Sequence, residues 1–355
     1  MKVREVKFKD FIYISKLQSR HNLKSILKYK NKFVANYSYF SKKNPIGWVL
    51  EDKGEIRGFI GNLIKKYTLK NKYYLSSSIN SLVVDKNYRE NTYLLLRRYF
   101  NQKNISFYFN STPNDSTFKI WKKLGANEIP QITIERKLLY ILKVENLINS
   151  YLKKRKFNLP YFAINLIGKI INFINFKKKN TKKDPNFNFV EIKQLNNKIK
   201  TFLNKSQKKN KLSLLRDKHW FDMNYSKTNI KESFLYLILK KKKIIGLIGL
   251  IENNNNDINL KRLELADFII HKDDKNLFDN IINNIFLNPK FKKYDVIEAQ
   301  GFSKEKFEIL KNFFHFNFKL KSFPFLYKSK NKKIDLMLKN TNIWDFSLID
   351  GDNLI

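Results

Sequence analysis

An α/β fold with a mixed sheet (α+β), built twice in tandem, is what this 355-residue sequence predicts. Three observations carry the prediction. First, residues 78–125 alternate strand and helix patterns. An apolar run at 79–84 leads through a polar turn at 85–87 into a helix starting near Tyr88, with Leu94, Leu95, Leu96, Tyr99 and Phe100 on its buried side. A second strand follows at 105–109, then a cap-rich turn at 110–115 and a helix at 118–124 stopped by Gly125. Second, 48–50 and 56–64 flank Asp52-Lys53-Gly54, a hairpin with glycine at its bend. Third, the chain repeats itself. Gly58-Phe59-Ile60-Gly61 returns as Gly246-Leu247-Ile248-Gly249, 188 residues later, and FKIWKKL at 118–124 returns as FEILKNF at 307–313, 189 residues later.

In chain order, the first unit (1–142) opens with a strand at 3–6 and a helix from Asp10 carrying Ile12, Ile14 and Leu17. The hairpin, a strand at 73–84 and the strand–helix units follow, and 126–142 is expected to complete the sheet. Residues 143–186 read as a basic, amphipathic helical linker. Lys153-Lys154-Arg155-Lys156 and Lys177-Lys178-Lys179 bracket the apolar stretch 157–176. Asn165, Lys169, Asn172 and Asn175 fall on one side of that helix and Ile164, Ile167, Ile170, Ile171 and Ile174 on the other, which is too polar to span a bilayer. It reads as an interdomain helix or as one lying on anionic lipid. The second unit (187–355) repeats the pattern, with a strand at 263–270 and a helix at 277–286.

Composition narrows the class. A hydrophobic content of 43% with 15% aromatics is that of a folded protein. With no cysteine, disulfides, thiol catalysis and cysteine-ligated metal are excluded. The charged start MKVREVKFKD carries no apolar signal core, so the expected location is the cytoplasm, with the inner face of the membrane as an extension of it. Net charge is +40, but only ten of the 71 basic residues are arginine. Lysine excess beside abundant asparagine, isoleucine and phenylalanine fits AT-rich coding pressure as well as a selected polyanion partner. His21, His219, His271 and His315 lack metal-ligand spacing, so no metal is expected.

On Val84, Tyr88 and Arg89, followed by Asn114, Trp121, Leu124 and Gly125, the sequence resembles the GNAT superfamily of acyl-CoA N-acyltransferases. The resemblance implies an acyl-CoA, such as acetyl-CoA, as co-substrate. Its pantetheine arm would lie along the backbone of Val83 and Val84 and against Asn114. Its pyrophosphate would lie at the turn Arg89, Glu90, Asn91, Thr92, Tyr93 and Leu94, where free helix amides attract an anion. Thr92 and Leu94 stand where the family has small residues, and Trp121 stands where it often has a tyrosine general acid. No catalytic residue is assigned. Glu264 and Asp267 are candidate bases or ion-pair partners. In the second unit Asp273 and Asp274 would repel phosphate, so that copy is expected to be degenerate, structural or acceptor-binding. Arg216-Asp217, His219-Trp220 and the ending 344–352 further resemble double-GNAT proteins of surface-polysaccharide gene clusters. The implied reaction is N-acylation, in the family's usual form N-acetylation, of a small-molecule amine or amino sugar. The rivals are a transferase of the same fold fed by aminoacyl-tRNA, and a non-catalytic module binding polyanion or membrane through 157–176.

Overall fold

The computed structural model describes the chain except residues 24, 41–43, 130–131, 158–159, 161, 165, 170–184, 227–231, 271–280, 282–283, 285–287, 321–324 and 352–355. Each unit opens in the same way. In the first, β1 (Lys2–Glu5), β2 (Gly47–Asp52), β3 (Glu55–Leu69) and β4 (Lys72–Val84) pair antiparallel in order, and β5 (Phe107–Asn110) joins β4 in parallel. A parallel neighbour needs a crossover, here α3 (Thr92–Phe100). In the second unit, β8 (Phe187–Glu191), β10 (Ser233–Lys240), β11 (Lys243–Glu252) and β12 (Arg262–Ile270) pair antiparallel, and β13 (Val296–Gln300) joins in parallel. The two glycine tetrads lie in β3 and β11. The two helical heptads overlap α4 (Asp115–Lys123) and α8 (Lys304–Leu310).

The units then exchange a strand. β7 (Arg136–Ile141) crosses into the second sheet and lies antiparallel between β13 and β14 (Phe316–Lys319). In return β15 (Leu326–Lys328) lies antiparallel between β5 and β6 (Asn127–Glu128). The expectation that 126–142 completes the first sheet is therefore corrected: β6 does so, attached through β15, while β7 serves the other sheet. An apolar strand pattern encodes which face is buried but not which of two similar edges it joins. Further mixing comes from β9 (Leu212–Leu214), which pairs with the far end of β3, and from β16 (Trp344–Asp345), which pairs with β9.

The core follows this topology. α1 (Phe11–Arg20) and α2 (Lys30–Tyr39) cover one face of the first sheet through Phe11, Ile14 and Phe33, against Val49, Phe59 and Leu63. On the other face Leu95, Tyr99 and Trp121 of α3 and α4 pack on Trp48, Ile60 and Tyr108. The largest cluster belongs to both units, joining Tyr67, Phe107 and Phe109 to Trp220, Trp344 and Phe346. Phe109 and Phe346 stack with ring centres 5.2 Å apart.

Two expectations shift. The helix expected near Tyr88 begins as a 3-10 helix, Lys86–Asn91, and becomes α-helical at Thr92. The helix expected at 277–286 falls outside the described residues apart from Ile281 and Asn284, which are helical. Among the described residues no helix is long and apolar enough to cross a membrane.

Candidate active site

The site starts from a gap between two strands. β4 and β5 pair only from Ser76–Phe107 to Ser78–Phe109. Beyond Ser78, β4 runs on to Val84 beside β3 alone, so the parallel strands diverge. A bulge drives this divergence. Val83 lies opposite Phe59 and Asn80 opposite Gly61, leaving two β4 residues against one of β3, and Ser81 takes φ +56°. A bulge with a left-handed residue bends its strand. Gly61 is required there, because a Cβ would stand 2.5 Å from the Asn80 carbonyl oxygen. Both flanking helices, α3 and α4, start at the C-terminal ends of these strands, the edge where open α/β sheets take ligands.

The predicted cofactor residues gather at this edge. Val83 and Val84 are buried and pack into opposite faces of the sheet, so only their backbone is available to a ligand. Arg89 and Glu90 are exposed, Asn91 and Leu94 half-buried, and Tyr93 is exposed. Thr92 is buried, and both its hydroxyl (2.7 Å) and its amide donate to the Arg89 carbonyl. The bare helix start expected for a pyrophosphate is therefore partly engaged by its own preceding turn. Asn114 caps α4, its Oδ1 accepting from the Thr117 amide at 2.9 Å. Trp121, fully buried against Phe100 and Tyr99, is a core residue. Beside the turn, burial would raise the Asp85 carboxyl, but hydrogen bonds from His21 (3.1 Å) and Arg20 (2.9 Å) hold it below its ordinary value.

On the α1/α2 face lies a cavity lined by Asn36, Ile64, Lys65, His219, Trp220 and Gly351 among others. α7 (Lys218–Tyr225) brings His219 and Trp220, and α2 brings Asn36. Asn36 Oδ1 accepts from the Ile64 amide (3.0 Å), while its Nδ2 donates to the Ile64 carbonyl (2.8 Å) and lies 3.2 Å from His219 Nε2. With the amide orientation fixed, Nε2 must accept, so the imidazole proton sits on Nδ1. Tyr39 stacks on that ring at 4.2 Å and donates to Asp217 Oδ2 at 2.7 Å. Burial lowers the His219 pKa to about 4. Asp217 and Asp222 oppose this, and Lys65 reinforces it. Lys65 Nζ donates to the carbonyls of Ile349, Asp350 and Gly351 at 3.3, 2.8 and 2.6 Å. Trp220 is buried, and its indole N–H has no acceptor among the described residues. A Cβ on Gly351 would stand 2.5 Å from Ser111 Oγ, so this wall of the cavity reaches the residue that follows β5.

The second unit has the same gap, with an ion pair at its base and a cavity beside it lined by Arg216, Phe268, Ile270 and Lys306 among others. Its parallel pairing ends at Leu265–Ala299, and Asp267, two residues on, lies opposite Gly249 just as Asn80 lies opposite Gly61. Asp267 accepts from Arg216 Nε (2.6 Å) and Nη2 (2.8 Å), with both side chains buried. Burial would raise the Asp267 carboxyl, but the guanidinium holds it below its ordinary value. Around this pair, Lys306 meets Ser347 Oγ (2.8 Å) and Asp345 (3.0 Å), and burial pushes Asp350 up to about 6 against the pull of Arg216. Of the two carboxylates raised from the sequence, Asp267 is ion-paired, and Glu264 is bonded to Asn253 (2.8 Å) and Gln300 (2.9 Å). Asp273 and Asp274 lie outside the described residues. The sequence reading missed α2 and the Asn36–His219 contact. Phe33, Tyr37 and Phe40, at spacings of four and three, carried the helical signal.

Solved structures share this architecture. A GCN5-related N-acetyltransferase from Anabaena variabilis superposes with a TM-score of 0.57 at 10% identity, over 93% of this chain and 73% of its own. A probable N-acyltransferase from Enterococcus faecalis gives 0.58 at 10%, over 92% and 72%. N-myristoyltransferase from Saccharomyces cerevisiae, solved with myristoyl-CoA, gives 0.52 at 14%, over 93% and 83%. The fold is thus that of the acyl-CoA N-acyltransferases, in a tandem GNAT-like arrangement. The sequence matches no protein-family model and no curated protein.

Proposed function

We propose that the protein is an N-acyltransferase that moves an acyl group from coenzyme A, held at the β4–β5 gap, to an amine held in the His219 cavity. The observation that carries this reading is that Gly351, in the wall of the cavity, abuts Ser111, the residue that follows β5 at the gap. Bound acyl-CoA would supply the thioester. Val83 and Val84 would offer backbone groups to its pantetheine arm, and Arg89 would offer a cation to its pyrophosphate.

The amine nitrogen attacks the thioester carbonyl, a C–N bond forms, the C–S bond breaks, and the proton the nitrogen gives up goes to the departing sulfur, which leaves as the thiol. The nitrogen must be neutral, and the cavity favours that state. The burial and the Lys65 charge that depress His219 would depress an amine in the same place, because both disfavour a cation. Little general-base work is then needed, and positioning carries much of the rate.

The polar inventory bears on the acceptor. Lys65 is committed to three carbonyls and Asn36 to Ile64 and His219, while Lys32, Lys66, Asp217 and Asn224 add further polar groups to the lining. This mixed lining suits an amine on a peptide-like arm as well as an amino sugar, whose buried hydroxyls would each need a partner. Acetyl-CoA and longer acyl-CoAs both remain suitable donors. The closed turn at Thr92 and the +40 charge favour, as a second reading, an aminoacyl-tRNA donor.

Thiol release from acetyl- and longer acyl-CoAs, followed against a panel of amines, tests the reaction. Release that needs an amine is expected. Release that is indifferent to every amine would contradict it.

A further inference from the structure

We infer that the corner formed by α5 (Val144–Arg155) and the helical residues after it is a docking surface for an anionic lipid bilayer. The corner is well built on its inner side. α5 is tied to the start of β13 in the second sheet by Asn146, whose Nδ2 donates to Asp295 at 2.6 Å, and is anchored by buried Val144. Its end is closed by Lys156 in the left-handed region (φ +59°), with the Phe157 amide donating to the Leu152 carbonyl at 3.0 Å. The chain then turns at Pro160, whose carbonyl accepts from the amides of Ala163 (3.1 Å) and Ile164 (3.3 Å). Residues 162–164 and 166–169 are helical. Ile164 is buried, and Gly168 lies so close to α5 that a Cβ would stand 2.8 Å from Glu145 Oε1.

The outer side is what needs a partner. Phe157, Phe162 and Leu166 are 66, 74 and 58% exposed. Phe162 and Leu166 are four residues apart and so share a helix face. The corner that carries them is edged by Lys153, Lys154, Arg155, Lys156 and Lys169, all exposed, and none of these five is in an ion pair with a described carboxylate. Large apolar side chains displayed together beside unpaired lysines match the chemistry of a bilayer interface. The rings and Leu166 enter the acyl boundary, while the lysine stems run along the surface and their ammonium groups meet lipid phosphates. An RNA partner would be served by flat stacking rings and arginine rather than by a leucine-bearing helix face edged mainly by lysine. The inference is independent of the acyl-transfer reading, because the corner packs on the second sheet and not on the first unit's gap.

Co-sedimentation of the full chain with vesicles tests it. One set is phosphatidylcholine alone and the other phosphatidylcholine mixed with phosphatidylglycerol, at physiological salt, with and without excess tRNA. Binding to the mixed vesicles that persists with tRNA present, and falls roughly tenfold or more in the F162D/L166D double variant, is expected, because two apolar anchors are removed. Both sites are exposed, so the variant's thermal unfolding should match the parent's. K153Q/K154Q/K156Q should weaken binding to the mixed vesicles, because part of the charge attraction is lost. Absence of binding by the parent, equal binding by F162D/L166D, or displacement by tRNA would each overturn the inference.

Discussion

Asn80 and Asp267 stand at the same place in their sheets, opposite Gly61 and Gly249 and two residues past the last parallel rung. The amide accepts from the Ser81 hydroxyl, whereas the carboxylate recruits Arg216. A buried ion pair is worth little against apolar replacements but leaves a costly charge when one partner goes. Asp267→Asn should therefore cost about 3–5 kcal/mol in urea unfolding, and R216M/D267L should recover most of it. An Asp267→Asn protein as stable as the parent would show that the pair does not hold this part of the fold. His219 makes a pH prediction. Its folded pKa of about 4 lies below the ordinary 6.5, so its contribution is complete above pH 6.5 and is lost as the pH falls toward 4. The loss is up to about 3 kcal/mol, and His219→Gln should remove that part of the pH dependence of the unfolding midpoint. Thr92 and Leu94 were legible in the sequence because the loss of small residues shows at fixed spacing. Asn36 was not, because its partner lies 183 positions away and only the fold brings them together.

At the scale of elements, the sheet order was legible and the ownership of two strands was not. The apolar pattern of 126–142 marks strands without naming their sheet, 326–328 is too short to be read by periodicity, and a reciprocal exchange leaves both patterns unchanged. The exchange has a mechanical consequence. A fragment ending at residue 142 lacks β15, the antiparallel neighbour of β5, and exposes β7 as an unpaired apolar edge. Expressed alone it should aggregate or self-associate, and co-expression with 143–355 should yield a soluble complex in gel filtration. A stable folded monomer of 1–142 would contradict the exchange. The turn at the gap was misread in the other direction. The sequence pointed to a helix start with free amides, but Lys86–Asn91 is already helical in the tighter 3-10 form, and the Arg89 carbonyl takes the Thr92 amide. A 3-10 run before an α-helix leaves little in apolar spacing to betray it.

At the scale of the whole molecule, one core cluster holds both units, and the C-terminal segment of the second forms a wall of the first unit's cavity. The two units should therefore unfold in a single transition, seen as coincident far-ultraviolet and tryptophan signals, because neither keeps a complete sheet without the other. With the Arg216–Asp267 pair standing in the second unit's gap, the first unit's gap is the proposed donor site, so the protein should bind one acyl-CoA per chain. Titration calorimetry with acetyl-CoA and a long-chain acyl-CoA tests this most directly. It should be run at about 150 mM salt, where surface charge is screened beyond roughly 8 Å, with ADP and polyphosphate as controls. The account predicts saturable binding of one acyl-CoA per chain, clearly tighter than either control and weakened by Arg89→Glu. No binding, or binding matched by polyphosphate and indifferent to Arg89→Glu, would contradict it.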